Sequence, residues 1–151
     1  GSYLRLQNIP VPETDLTGTV GGLGYGVRGR LQILFLNAIV DYQHLVDNAD
    51  MLHAGLGVGY RTDSLPVIDL YVQASVGLLL LFADGGAFTD VDVSGEYGPE
   101  AGGQVRAGGG LDFPFAGDWL ALGLGVDVGG HYIGGEFGYD LSANVHFGLR
   151  I

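Results

Sequence analysis

Apolar and polar positions alternate along most of this chain with a period of two. Between residues 68 and 82 the even positions read Ile68, Leu70, Val72, Ala74, Val76, Leu78, Leu80 and Phe82, against Asp69, Tyr71, Gln73, Ser75 and Gly77. Leu120, Leu122, Leu124, Val126 and Val128 alternate in the same way with Ala121, Gly123, Gly125, Asp127 and Gly129. Near the end Tyr139, Leu141, Ala143, Val145 and Phe147 alternate with Asp140, Ser142, Asn144, His146 and Gly148. Successive strand side chains point to opposite faces, so each segment is a strand with one apolar face and one polar or glycine face. Turn signals between the segments predict eight strands, at 3–9, 18–33, 38–46, 51–62, 67–83, 102–113, 119–132 and 137–151. The connections alternate in character: 34–37, 63–66 and 114–118 are short, whereas 10–17, 47–50, 84–101 and 133–136 are acidic. No run approaches the roughly 18 consecutive apolar residues of a membrane-spanning helix.

The polar face decides the architecture. It holds Gly, Asp, Arg, Gln and Ser, with almost no long solvating side chain. Glycine facing water weakens a strand and packs against nothing. Glycine facing the crowded inside of a narrow barrel leaves room for larger side chains from other strands. The expected fold is therefore all-β: an eight-stranded antiparallel up-and-down transmembrane β-barrel, one domain over 1–151, apolar face outward. Strands of about 9–11 residues suffice to cross a bilayer. The inward positions then include Arg28, Arg30, Asp41, Asp69, Arg106, Asp112, Asp127 and Asp140, together with Gln73 and His146. Buried charges must be paired, so an internal Arg–carboxylate network is expected to fill the interior, which eight strands make just wide enough for side chains. Inward glycines such as Gly22, Gly24, Gly55, Gly57, Gly108, Gly123 and Gly125 leave a narrow ion or small-solute channel as an alternative. Two aromatic belts support the orientation: Tyr60, Phe113, Phe115, Trp119 and Phe147 toward the short turns, and Tyr42, Phe82, Tyr132 and Tyr139 toward the acidic loops.

Composition sharpens this picture. The chain has 151 residues, 29 of them Gly, and no Cys, against an average Gly usage of about 7%. A mean hydropathy of +0.30 accompanies a net charge of −11. Absence of Cys excludes a disulfide scaffold, a thiolate metal site and a cysteine nucleophile. Six basic residues, all Arg, against 17 acids exclude nucleic-acid binding through a basic patch. Gly1-Ser2 reads as an appended remnant or the start of a processed chain, which leaves export open. Ten of the acids (Glu13, Asp15, Asp47, Asp50, Asp84, Asp90, Asp92, Glu96, Glu100 and Glu136) fall in the acidic connections, while Arg5, Arg30, Arg61 and Arg150 are expected toward the short-turn half.

The hairpin order resembles the small eight-stranded outer-membrane barrels of the OmpX/Ail/OmpA-domain kind. Gly24-Tyr25-Gly26-Val27-Arg28, Gly55-Leu56-Gly57-Val58-Gly59-Tyr60-Arg61 and the closing Val145-His146-Phe147-Gly148-Leu149-Arg150-Ile151 carry the likeness. The ending is similar to the signal read by the barrel assembly machinery, departing from it in a final Ile where Phe or Tyr is usual. The resemblance implies a Gram-negative outer membrane, both termini periplasmic, with outer-membrane lipid and lipopolysaccharide as surroundings. Its members include adhesins, complement-evasion factors, tethers and lipid-A enzymes, so the fold narrows function little.

For chemistry, the candidates are His44, His53, His131 and His146 with Ser75, Ser94 and Ser142; none has the His-x-Ser spacing expected of lipid-A deacylase barrels. His131 with Glu136 at the outer end of a hairpin could pair with Ser94 from the long loop, although the spacing does not demand it. A non-enzymatic protein is expected, with a lipid-A-modifying enzyme as the alternative, and no cofactor. Hard oxygen ligands can hold Ca²⁺ or Mg²⁺, and Asp90, Asp92 and Glu96 are the candidate ligands. The acidic outer loops, above all 84–101, are the expected surface for a cationic or host partner, or for envelope structure.

Overall fold

Residues 1–11, 14–46, 49–62, 67–92, 96–115 and 120–149 are described by a computed structural model, without the side chains of 96–98, 148 and 149. The strands are β1 (Ser2–Pro10), β2 (Thr17–Ile33), β3 (Leu36–Leu45), β4 (Ala49–Arg61), β5 (Asp69–Asp84), β6 (Glu96–Phe115), β7 (Leu120–Ile133) and β8 (Glu136–Leu149). Each pairs antiparallel with the next, and β1 returns to β8 through Ser2↔Asn144 to Leu6↔Asp140, so the sheet closes into a barrel.

Local chemistry sets the tight ends. Ile133 pairs with Glu136 across Gly134-Gly135, whose φ values of 58° and 96° are the left-handed pair that a two-residue hairpin turn with the right twist requires. At the other end Ile33 pairs with Leu36, and Leu34 takes φ 57° to make the turn.

Alternation sorts the faces as the pattern predicts for seven of the strands. Val72, Val76 and Leu78 of β5, Val126 and Val128 of β7, and Tyr139 and Val145 of β8 are exposed, while Gln73, Ser75, Asp127, Asp140 and Ser142 between them are buried. β1 is inverted: Leu4, Leu6 and Ile9 point in, and Tyr3, Arg5 and Gln7 point out. It also carries a register shift between Leu6 and Ile9, with Asn8 at φ 58°. β1 pairs with 17–24 of β2 and 140–144 of β8 and not with the turn-side stretches of either, so the chain enters the wall at mid-height. Arg5 consequently lies in the loop-side half, level with Gly21 and Leu141, and not toward the short turns as expected.

The connection expected at 84–101 is shorter. β5 runs to Asp84, a 3₁₀ turn covers Gly85–Ala87, and β6 starts at Glu96. Pro99 lacks an N–H and reads as a strand breaker. The ladder accommodates it beside a register shift between Leu81 and Ala83, continuing through Ala83↔Tyr97 and Asp84↔Glu96.

Candidate functional site: the barrel interior and its stopper

The interior is built in storeys, and inward glycines make room for each. On the three-strand face β6–β8, Gly123 lies between Asp112 and His146, and Gly129 between Arg106 and Asp140. A Cβ on Gly123 would collide with His146 Nε2 and Asp112 Oδ1; one on Gly129 would sit 2.7 Å from Asp140 Oδ2. Glycine thus lets charged side chains from flanking strands meet above it. The pairing follows from strand register.

The middle storey centres on Asp41. Its Oδ2 accepts from Arg28 Nη2 at 2.7 Å, Arg106 Nη1 at 2.9 Å and Gln43 Nε2 at 3.2 Å. Arg28 also reaches Asp127 at 3.0 Å, and Asp127 accepts from Gln73 at 3.0 Å. Arg106 Nε and His131 Nδ1 each lie 3.7 Å from Asp140. Around that carboxylate, His53, Gln104, His131 and Ser142 are buried and their side chains have no hydrogen-bond partner among the described residues. Buried polar groups of this kind are met by ordered water in folded proteins.

The turn-side storey centres on Asp112, which accepts from Arg61 Nη2 at 2.6 Å and pairs with His146 Nε2 at 2.8 Å. His146 Nδ1 meets Asn144 at 2.9 Å. Arg30 lies over the Tyr71 ring at 4.7 Å, and Asp69 is buried opposite Asp112. All eight residues expected in the interior network do face inward. Arg28, Asp41, Arg106, Asp127 and Asp140 form one cluster, while Arg30, Asp69 and Asp112 belong to another. Arg61 is a member that the sequence pattern places only toward the short turns, although its odd position on β4 shares the inward parity of His53 and Gly55.

The loop-side storey is apolar, which alternation alone does not suggest. Leu4, Leu6, Ile9, Val20, Leu45, Met51, Leu79, Leu81 and Ile133 form a buried cluster, and the connection after β5 adds Ala87 and Phe88 to it. That connection crosses the mouth to β2. Phe88 bridges to Val20, the Thr89 N–H donates to Thr19 O at 2.8 Å, and the Thr19 N–H donates to Asp90 Oδ1 at 2.7 Å. Asp90 is exposed in the connection between β5 and β6, and the Thr19 N–H holds its carboxyl below the ordinary carboxylate value. The run 76–83 is apolar on both faces for this reason: its even residues face out, while Leu79, Leu81 and Ala83 face the stopper. A continuous apolar run was the available signal.

The other candidates are dispersed. Asp90 is engaged by Thr19, Asp92 is exposed, and the Glu96 side chain lies outside the described residues; among those described, no group of three or more His, Asp or Glu is arranged to hold a metal ion. His44 pairs with Asp50 at 2.9 Å on the outside, beside the Tyr42 hydroxyl, which donates to the same oxygen at 2.6 Å. Ser75 and Ser142 are buried in the wall, and among the described residues no Ser hydroxyl bonds a His. Glu13, Asp47, Ser94, Trp119, Arg150 and Ile151 lie outside the described residues.

Fold and interior together define a small closed β-barrel with a charged, side-chain-filled lumen and an apolar stopper at one end. No protein-family model matches the chain, and neither a curated protein nor a solved structure shows detectable similarity to it.

Proposed function

We propose that this chain is an integral outer-membrane β-barrel, non-enzymatic, whose acidic outer loops serve surface interaction or envelope structure. One observation carries the reading: the exterior of the closed ring is apolar strand after strand, while the Arg–carboxylate pairs are inside. Soluble monomers rarely expose apolar patches beyond a few hundred Å², whereas a lipid-facing barrel requires such a band. Aromatic side chains face outward toward both rims, with Phe115 against Phe147 at 5.8 Å and Tyr132 against Phe137 at 4.6 Å, consistent with interfacial belts. With eight strands both termini belong on the short-turn side, the periplasmic side in this reading. The packed interior and the Phe88 stopper favour a structural or surface role over conduction, and among the described residues no Ser–His pairing favours lipid-A chemistry.

The test is the protein's behaviour with and without detergent. The full chain is expected to aggregate in plain buffer, to be monodisperse in detergent and to migrate faster on a gel when unheated. A chain that is monodisperse without detergent contradicts the proposal. In the same preparation lipid A is expected to keep its mass and planar bilayers to show no discrete conductance; a deacylated product or unitary steps would overturn the non-enzymatic, filled-barrel part.

A further inference from the structure

We infer that the outer wall carries a binding groove for one lipid with an acyl chain and an anionic headgroup, an assignment that rests on the membrane reading above. An apolar groove of about 750 Å³ crosses the outside of β6, β7, β8, β1 and β2, a volume within the roughly 300–1,000 Å³ of small-molecule sites. Its floor follows from register. Leu23 is paired with Tyr3, Tyr3 with Ala143, Ala143 with Val126 and Val126 with Gly109, so these outward residues form one row across the strands. In this row Ala143 lies between the larger Tyr3 and Val126, and Gly109 beyond Val126 adds no side chain, which leaves a dent.

Charge identifies the occupant. Arg5 is the next outward residue beyond Tyr3, exposed, on the loop side of the groove. Among the described residues it forms no ion pair, and it is the one charged side chain pointing outward from the body of a strand rather than from its tip. An outward Arg on an apolar wall is unfavourable toward mid-bilayer and tolerated near the interface. Asp90 feels its charge but forms no ion pair with it, and that carboxylate accepts from the Thr19 N–H. Apolar groove and open guanidinium therefore complement one amphiphile: its tail lies along Tyr3, Leu23, Ala143 and Val126, and its anionic oxygens meet Arg5.

The full chain in detergent is titrated with phosphatidylglycerol or phosphatidylcholine, and retained lipid is read by native mass spectrometry. One lipid is expected to be retained, with about a fivefold preference for phosphatidylglycerol, the worth of one Arg near a membrane surface. Arg5→Gln should remove the preference, Arg5→Lys should keep it, and Ala143→Leu, which fills the dent without adding polarity, should weaken retention of both lipids. Preference surviving in Arg5→Gln, or Ala143→Leu binding like the wild type, overturns the inference. Displacement by inorganic phosphate as effective as by lipid would mark a free-anion site and overturn it equally. Failure here in a chain that still requires detergent contradicts the groove alone; loss of the detergent requirement contradicts the membrane reading and the groove together.

Discussion

At the scale of single residues, the glycines explain how so narrow a barrel holds charged side chains in its interior. Gly123 marks the place where Asp112 and His146 meet, and a methyl group there collides with both. Gly123→Ala is expected to destabilise the folded barrel by about 1–3 kcal/mol, the cost of leaving buried polar groups unpaired. Gly103, where an added methyl group would meet nothing within 4 Å, is the control, and Gly103→Ala should be neutral. Urea midpoints in detergent check both; equal midpoints would show that inward glycine does not shape the network. The inward positions of Arg28, Asp41 and Asp127 were legible because parity alone determines them. Which carboxylate each Arg meets was not, since that depends on register around the ring. Arg61 shows the same limit: it follows a regular alternation, yet its bond to Asp112 spans from β4 to β6.

At the scale of elements, seven strands were legible because each has a uniform outward apolar face. β1 was harder to read because its apolar residues face the stopper, which reverses the sense of its pattern. The glycines and acids of the expected connection 84–101 predict a free loop. Ala87 and Phe88 in fact contribute to the buried cluster, a tertiary contact with no local signature. The polar tether of this stopper has a pH dependence. Asp90 is depressed in the folded state below its ordinary 3.8 by the N–H of Thr19. Its contribution is therefore fully present above 3.8 and is lost as pH falls through the lower folded value. The Thr19 amide proton, followed by NMR from pH 6 to about pH 2, is expected to titrate with its midpoint below 3.8. A midpoint at or above 3.8, or no titration, would contradict the tether.

At the scale of the whole molecule, hydrophobicity and a net charge of −11 coexist because they occupy different places. Apolar side chains cover the outside of the ring, paired charges fill the middle, and described acids such as Asp15, Asp84, Asp92 and Glu136 lie at the loop end. This division was readable from alternation plus the glycine content of the polar face. The stopper and the outer dent were not, because both arise from residues brought together by closure of the ring. The absence of Cys makes the central claim directly measurable, since single cysteines can carry spin labels without background. Labels at the outward positions Val72, Val76 and Leu78, and at the loop-end positions Asp92 and Gly135, are compared in protein reconstituted into phospholipid vesicles. Val72, Val76 and Leu78 should collide more with oxygen, which concentrates in lipid, than with a water-soluble nickel chelate, and the loop-end labels should show the reverse. Nickel-dominated collisions at all five positions would mean that the apolar wall does not face lipid.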